Sequence, residues 1–186
     1  DMDNIVELGC NVIRIAEFAW HIMEKTEGQY DFSFFDHVIS KAKEKGLHVI
    51  LGTPTATIPA WLAKKEPSIL SEFENGQKRV FGGRHVYCFN SPVMYEYSEK
   101  IIRKMVEHYK DEPAVVAWQI DNELGHEGSD VCYCSQCQSA FQKFLKDKFA
   151  GNIDRLNETY GTTFWSQEYN EFDEIPTPSA TITTHN

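Results

Sequence analysis

Three short apolar runs, each followed by a stretch with helical periodicity, constrain this chain more than any other feature. The first is Asn11-Val12-Ile13-Arg14-Ile15, rich in β-branched residues and set off by Gly9. The second, Leu47-His48-Val49-Ile50-Leu51, ends at Gly52-Thr53-Pro54, and the third runs from Ala114 to Ile120 after Glu112-Pro113. Between the first two, a helix is expected from about Ser33 to Lys45, with Phe35, Val38, Ile39 and Ala42 on one face and Gly46 as its stop. Before the third, Ser91-Pro92 opens a long helix, since Pro is favoured in a first turn. Its expected apolar stripe is Ile101, Ile102, Met105, Val106 and Tyr109. Further helices are expected over about Cys137 to Phe149 and Ile153 to Tyr160, and an irregular stretch rich in Pro, Gly and aromatics over Thr55 to Asn90. Strands alternating with helices imply an α/β fold with a parallel sheet and right-handed crossovers.

The 186 residues can enclose one sizeable core. A full (β/α)8 barrel takes about 250 residues, so three strand-helix units would be only part of one. An open doubly wound sheet is the structural alternative, but no Gly-rich phosphate turn follows any strand. Asp1-Met2-Asp3-Asn4-Ile5 reads as the middle of a helix leading into Gly9, and the Ser179 to Asn186 end has no stop signature. Both ends are therefore expected to be interior points of a longer chain. Residues 1–186 then form a single partial domain, truncated at each end.

Charge narrows the partners. A formal net charge of -10 argues against a nucleic-acid backbone or an anionic membrane. No apolar run approaches the roughly 20 residues needed to span a bilayer. A missing leader says nothing about localisation in a chain read as a fragment; a cytoplasmic protein is the expectation. The exposed strand edges of an incomplete barrel could be met by association with another copy, so a homo-oligomer stays open.

The third apolar run ends in Asp121-Asn122-Glu123. In a parallel α/β barrel, active sites are built at the C-terminal ends of the strands. An Asn-Glu pair there suits sugar chemistry, because the amide can hold a hydroxyl while the carboxyl gives and takes a proton at the glycosidic oxygen. Taken alone, the pair equally fits a strand running into an acidic loop. Arg14 within an apolar strand calls for a buried or cleft acid, with Glu17 the nearest candidate. Arg84-His85 in a Gly-flanked loop fits either a functional loop or a solvated turn. Trp61, Trp118 and Trp165 fit a core as well as a substrate wall, and His48 and His126 lack metal-ligand spacing.

Four of the five cysteines form a pattern, Cys88 followed by Cys132, Cys134 and Cys137. Three closely spaced thiols with one distant partner suit a tetrahedral structural Zn²⁺ that ties two loops together. Two disulfides are the alternative, although Cys132 and Cys134 are too close to bridge comfortably. Cys10, beside the first strand, reads as a buried core thiol.

Together these residues resemble glycoside hydrolase family 42, β-galactosidases with a catalytic barrel of the retaining clan A. The resemblance rests on Asn11 to Trp20, Gly52 to Ala56 with Pro59-Ala60-Trp61-Leu62, and Phe81 to Pro92. It continues through Trp118 to Glu123, Cys132-Tyr133-Cys134 to Cys137, and Leu156-Asn157 to Phe164-Trp165-Ser166, covering nearly the whole chain. It implies a (β/α)8 barrel present in part, with the strands here as the second, third and fourth. Glu123 would be the general acid/base and Asn122 the residue that binds the sugar 2-hydroxyl. Arg14, Glu17 and Arg84 would line the galactose subsite, Trp165 would form an aromatic wall, and Cys88, Cys132, Cys134 and Cys137 would ligate zinc. The implied substrate is a β-galactoside, hydrolysed with retention. The nucleophilic glutamate of the family falls at the end of the seventh strand, beyond residue 186, and the first strand falls upstream. An acid/base should have a raised pKa, which a neighbouring carboxylate and a dry pocket would produce. Two other readings remain open: another clan A hydrolase such as a β-glucosidase or mannanase, and a non-catalytic zinc-stabilised binding module.

Overall fold

The structure, a computed structural model, describes residues 1–125 and 131–179, apart from the Trp165 side chain. The chain divides into two units, one of Asp1–Leu70 with Arg79–Val131 and one of Ser71–Lys78 with Cys132–Asn186.

In the first unit, helix α1 (Met2–Glu7) leads into strand β1 (Val12–Ile15), followed by a short α2 (Trp20–Met23) and by α3 (Ser33–Glu44). Strand β2 (His48–Gly52), helix α4 (Ala60–Lys65), helix α5 (Pro92–Tyr109) and strand β3 (Val115–Gln119) complete it. The three strands form a parallel sheet in the order β1-β2-β3. Ile15 pairs with Leu51, and Leu51 with Trp118, so the strands end close to level. A register shift at Val49/Ile50 bends the β2–β3 ladder. The expected α/β arrangement is therefore present as a partial parallel sheet with helices.

Burial explains why these segments take these forms. Central β2 buries Val49 and Leu51 completely, because it is covered on both edges and by helices. Helix α3 turns Phe35, Ile39 and Ala42 into the core, at the i, i+4, i+7 spacing of one helix face. Ser91 caps α5 by accepting the Met94 N–H at 3.3 Å. The expected α5 stripe needs correction. Its buried seam is Tyr97, Ile101, Met105 and Tyr109, a strict i+4 row, with Met94 below it. Ile102 and Val106 lie about 100° further round the helix; Val106 is exposed and Ile102 half-buried.

Two other expectations are overturned. The stretch from Thr55 to Asn90 is not wholly irregular, since it holds α4 and two 3-10 turns, Pro54–Ala56 and Pro67–Ile69. Cys10 is exposed, not buried. It sits in the turn after α1, where its N–H donates to the Ile5 carbonyl, ahead of the strand that enters the core. Trp61 is structural in this setting: its indole donates to the Glu24 carbonyl at 2.9 Å and its ring meets Tyr97 edge-on. His48 lies exposed on β2.

The second unit packs α6 (Ser135–Lys148) and α7 (Ile153–Tyr160) around Leu145, Phe149, Leu156, Phe172 and Ile175. Asn152 caps α7 by accepting the Arg155 N–H at 2.9 Å, and Gly161 ends it at φ 60, a conformation open to Gly at little cost. No helix among the described residues is long and apolar enough to cross a membrane.

Candidate active site

A parallel sheet delivers all its carboxyl ends to one edge, and the polar residues singled out in the first unit gather along that edge. After β1, the chain turns through Ala16 at φ 92. An L-residue there carries strain of about 1–3 kcal/mol, which persists only where the surroundings fix it. The turn brings Glu17 back so that its carboxylate accepts the Arg14 Nε–H at 3.0 Å, as expected for an arginine in an apolar strand. Glu17 is nearly covered, whereas the Arg14 side chain stays 51% exposed. The end of β2 makes room for this turn. A Cβ on Gly52 would lie 2.7 Å from Glu17 Cβ and 3.1 Å from its backbone, so only glycine fits beneath Glu17.

Beyond β3, Asp121 is the best-connected side chain of the edge. Its Oδ1 accepts the Asn122 N–H at 2.6 Å and faces His85 Nε2 at 2.6 Å. Its Oδ2 accepts the Thr55 hydroxyl at 2.6 Å and the Tyr87 hydroxyl at 3.3 Å. Its own N–H donates to Thr53 Oγ1 at 2.7 Å. A buried carboxylate needs this many donors, because the lost hydration must be replaced. Burial, reinforced by the Asp121 carboxylate, raises the Tyr87 phenol above its ordinary pKa, so Tyr87 stays a donor.

Asn122 and Glu123 follow directly. Gln119 donates from Nε2 to the Asp121 carbonyl at 2.8 Å and to Asn122 Oδ1 at 3.2 Å. That pair of bonds turns the Asn122 amide so that its Nδ2 faces Glu123 Oε2 at 3.2 Å. The same Oε2 accepts the Arg84 Nη1–H at 2.7 Å, and the Arg84 guanidinium lies 6.0 Å from the Phe18 ring centroid. Asn122 is buried, but the Glu123 side chain keeps 56% exposure, so the dry pocket expected around it is not met. His85, Asp121 and Glu123 all have positive φ, at 47, 56 and 49 respectively. Strained backbone thus collects on both loops that meet here.

The arrangement brings together Arg84, Asn122 and Glu123, and separately pairs Arg14 with Glu17. Such a site can hold hydroxyls through an amide and guanidinium groups and can exchange a proton through a carboxyl. The Trp165 side chain and His126 lie outside the described residues. Sequence reasoning missed Asp121, Thr53, Thr55, Tyr87 and Gln119. The hydroxyls clustered just after β2 and the acid just before Asn122 were available signals. His85, one option for which was a solvated turn, is fully buried.

Among the described residues, none of the cysteines is disulfide-bonded. The sulfur atoms of Cys88, Cys132, Cys134 and Cys137 all lie within 4.8 Å of one another, and the four could hold a metal ion. Burial pushes the Cys132 thiol up to about 11, while the Glu72 N–H donates to its sulfur at 3.3 Å.

Comparison with known proteins gives a concordant result. The family profile described as beta-galactosidase, glycoside hydrolase 42, matches residues 1–186. A beta-galactosidase of Halorubrum lacusprofundi is 42% identical over 185 residues, covering 100% of this chain and 26% of the relative. One from Thermus thermophilus is 41% identical over 186 residues, covering 100% of this chain and 29% of the relative. The chain therefore spans under a third of the length of these relatives. The solved structure of a polyextremophilic beta-galactosidase from H. lacusprofundi superposes with a TM-score of 0.93 at 42% identity, over 98% of this chain and 27% of that one. The crystal structure of a beta-galactosidase from the psychrophilic Marinomonas ef1 gives 0.92 at 38% identity, over 99% of this chain and 28% of that one.

Replacing Gly52 with alanine forces Glu17 off its place or moves the end of β2. A stability loss of about 1–3 kcal/mol is expected in urea unfolding. A change within about 0.5 kcal/mol, the range of an ordinary surface substitution, would contradict the close approach.

Proposed function

We infer, given that this chain belongs to glycoside hydrolase family 42, that residues 1–186 are part of the catalytic domain of a retaining β-galactosidase. In this reading the domain is a (β/α)8 barrel, and β1, β2 and β3 are its second, third and fourth strands. The observation that carries the reading is the convergence on Glu123 Oε2 of Arg84 Nη1 at 2.7 Å and Asn122 Nδ2 at 3.2 Å, at the carboxyl edge of a parallel sheet.

Glu123 acts as the general acid/base. It donates its proton to the glycosidic oxygen as the bond from that oxygen to the anomeric carbon breaks. A second carboxylate, supplied from outside residues 1–186, attacks the anomeric carbon and forms a glycosyl-enzyme. Glu123, now ionised, takes a proton from the water that releases the sugar. Asn122, turned by Gln119, presents its amide N–H to the sugar 2-hydroxyl, a bond that strengthens in the transition state. Arg84, Arg14 and Glu17 bind the remaining hydroxyls of a galactose residue, and Trp165 stacks against the sugar. The substrate is a terminal β-galactoside.

Glu123→Gln in the full-length protein tests the role. Turnover of substrates with poor leaving groups should fall by about 10²–10⁴-fold, and azide should restore turnover of an activated aryl galactoside with a β-galactosyl azide as product. Full activity in the variant would remove Glu123 from the role.

The four cysteines hold a structural zinc ion in this reading. Four sulfurs within 4.8 Å suit the roughly 2.3 Å Zn–S bonds of a closed tetrahedral site. The ion would fold loops together without touching substrate. Elemental analysis should find one zinc per chain, lost in Cys134→Ser. Purified protein free of zinc, with all five thiols open to titration, would refute it.

A further inference from the structure

His85 is not accounted for by the reaction. It is fully buried, sits in a loop at φ 47, and its Nδ1 has no hydrogen-bond partner among the described residues. A buried imidazole can still anchor its loop through the other ring nitrogen. That nitrogen, Nε2, faces Asp121 Oδ1 at 2.6 Å. The loop bearing His85 is tied down separately, its N–H donating to the Ala56 carbonyl at 2.9 Å. His85 is followed at once in space by aromatic neighbours, Tyr87 at 6.1 Å and Phe89 at 5.7 Å between ring centroids. The ring is therefore wedged in place and its bond direction is fixed.

Each member of this pair is the chain neighbour of a residue at the carboxyl edge. His85 follows Arg84, and Asp121 precedes Asn122 and Glu123. The two loops are otherwise far apart in sequence, His85 and Asp121 being 36 positions apart. We propose that the His85–Asp121 pair is a positioning clip that joins the arginine loop to the acid/base loop and thereby sets the Arg84–Glu123 and Asn122–Glu123 contacts. The proposal rests on the acid/base reading of Glu123. Asp121 is suited to the task because its bonds reach three different segments. Thr55 and Thr53 fix it to the end of β2, Tyr87 and His85 to the arginine loop, and the Asn122 N–H to its own loop. The left-handed backbone at Asp121 and Glu123 would relax without these restraints. A shift of about 1 Å in a proton donor costs on the order of 10²-fold in rate.

Neither His85 nor Asp121 touches substrate in this account, so the test must separate misplacement of the acid from general damage. The measurement is kcat/KM of the full-length protein for aryl β-galactosides of graded leaving-group pKa. Rates are normalised to the fraction of sites trapped by a 2-deoxy-2-fluoro galactoside with an activated leaving group. Asp121→Asn places an NH2 among donors, and His85→Ala removes the clip. Both should lose about 10²-fold on poor leaving groups and little on the most activated one. His85→Gln, which keeps a donor for Asp121, should recover most of that loss. An equal loss across the series, or none, would overturn the proposal. If the first two variants trap no inhibitor, Thr55→Val and Tyr87→Phe carry the test, each removing one donor to Oδ2. The same steepening is expected of them, and a flat profile is again contrary. A flat profile for Glu123→Gln itself would fell the acid/base reading, and the clip with it.

Discussion

The buried carboxylate of Asp121 is the interaction on which the rest of the site depends. A charge placed there without partners would be strongly unfavourable, and removing one partner of a buried charge typically costs about 3–5 kcal/mol. The chain meets that demand with donors from Thr55, Tyr87, His85 and the Asn122 backbone. Each donor comes from a segment that must therefore be held in place. The need to satisfy one acid thus organises the end of β2, the loop after Arg84 and the loop after β3 together.

The other half of the edge depends on a steric constraint instead of an electrostatic one. Glu17 lies over Gly52, where a Cβ would come within 2.7 Å, and Ala16 accepts a φ of 92 to make the turn. The Arg14–Glu17 bond then follows from geometry already imposed. Among the described residues of the first unit, the non-glycine positions with positive φ, namely Ala16, His85, Asp121 and Glu123, all lie in the turns that carry the polar residues, as is common where a site is held against its local preferences. The helices and the central strand behind them contain none, which is how the core tolerates such a rim.

What was legible in the sequence follows the same division. Periodicity located the helices and strands because burial acts on each residue locally: Phe35, Ile39 and Ala42 face the core as spaced. The Arg14–Glu17 pair was legible because an arginine in an apolar strand calls for a nearby acid, although its side chain stays half exposed. The Val106 side of α5 was misplaced because an i+4 row and an i+3/i+4 stripe are indistinguishable in a run where both are apolar. Cys10 was misplaced because nothing local tells a core thiol from one in a turn. The pairing of His85 with Asp121 was not legible, since it is a bond between residues far apart in sequence. The asparagine and glutamate stood out as a motif, yet the residues that orient them carry no motif.

The central claim is that the carboxyl edge built around Asp121 presents Asn122, Glu123 and Arg84 to a sugar. Its most direct test is a crystal structure of the full-length protein with galactose bound. The account expects Asn122 Nδ2 within hydrogen-bond distance of the sugar 2-hydroxyl, and a Glu123 carboxyl oxygen within the same reach of the anomeric oxygen. A galactose seated without contact to Asn122, Glu123 or Arg84 would contradict it.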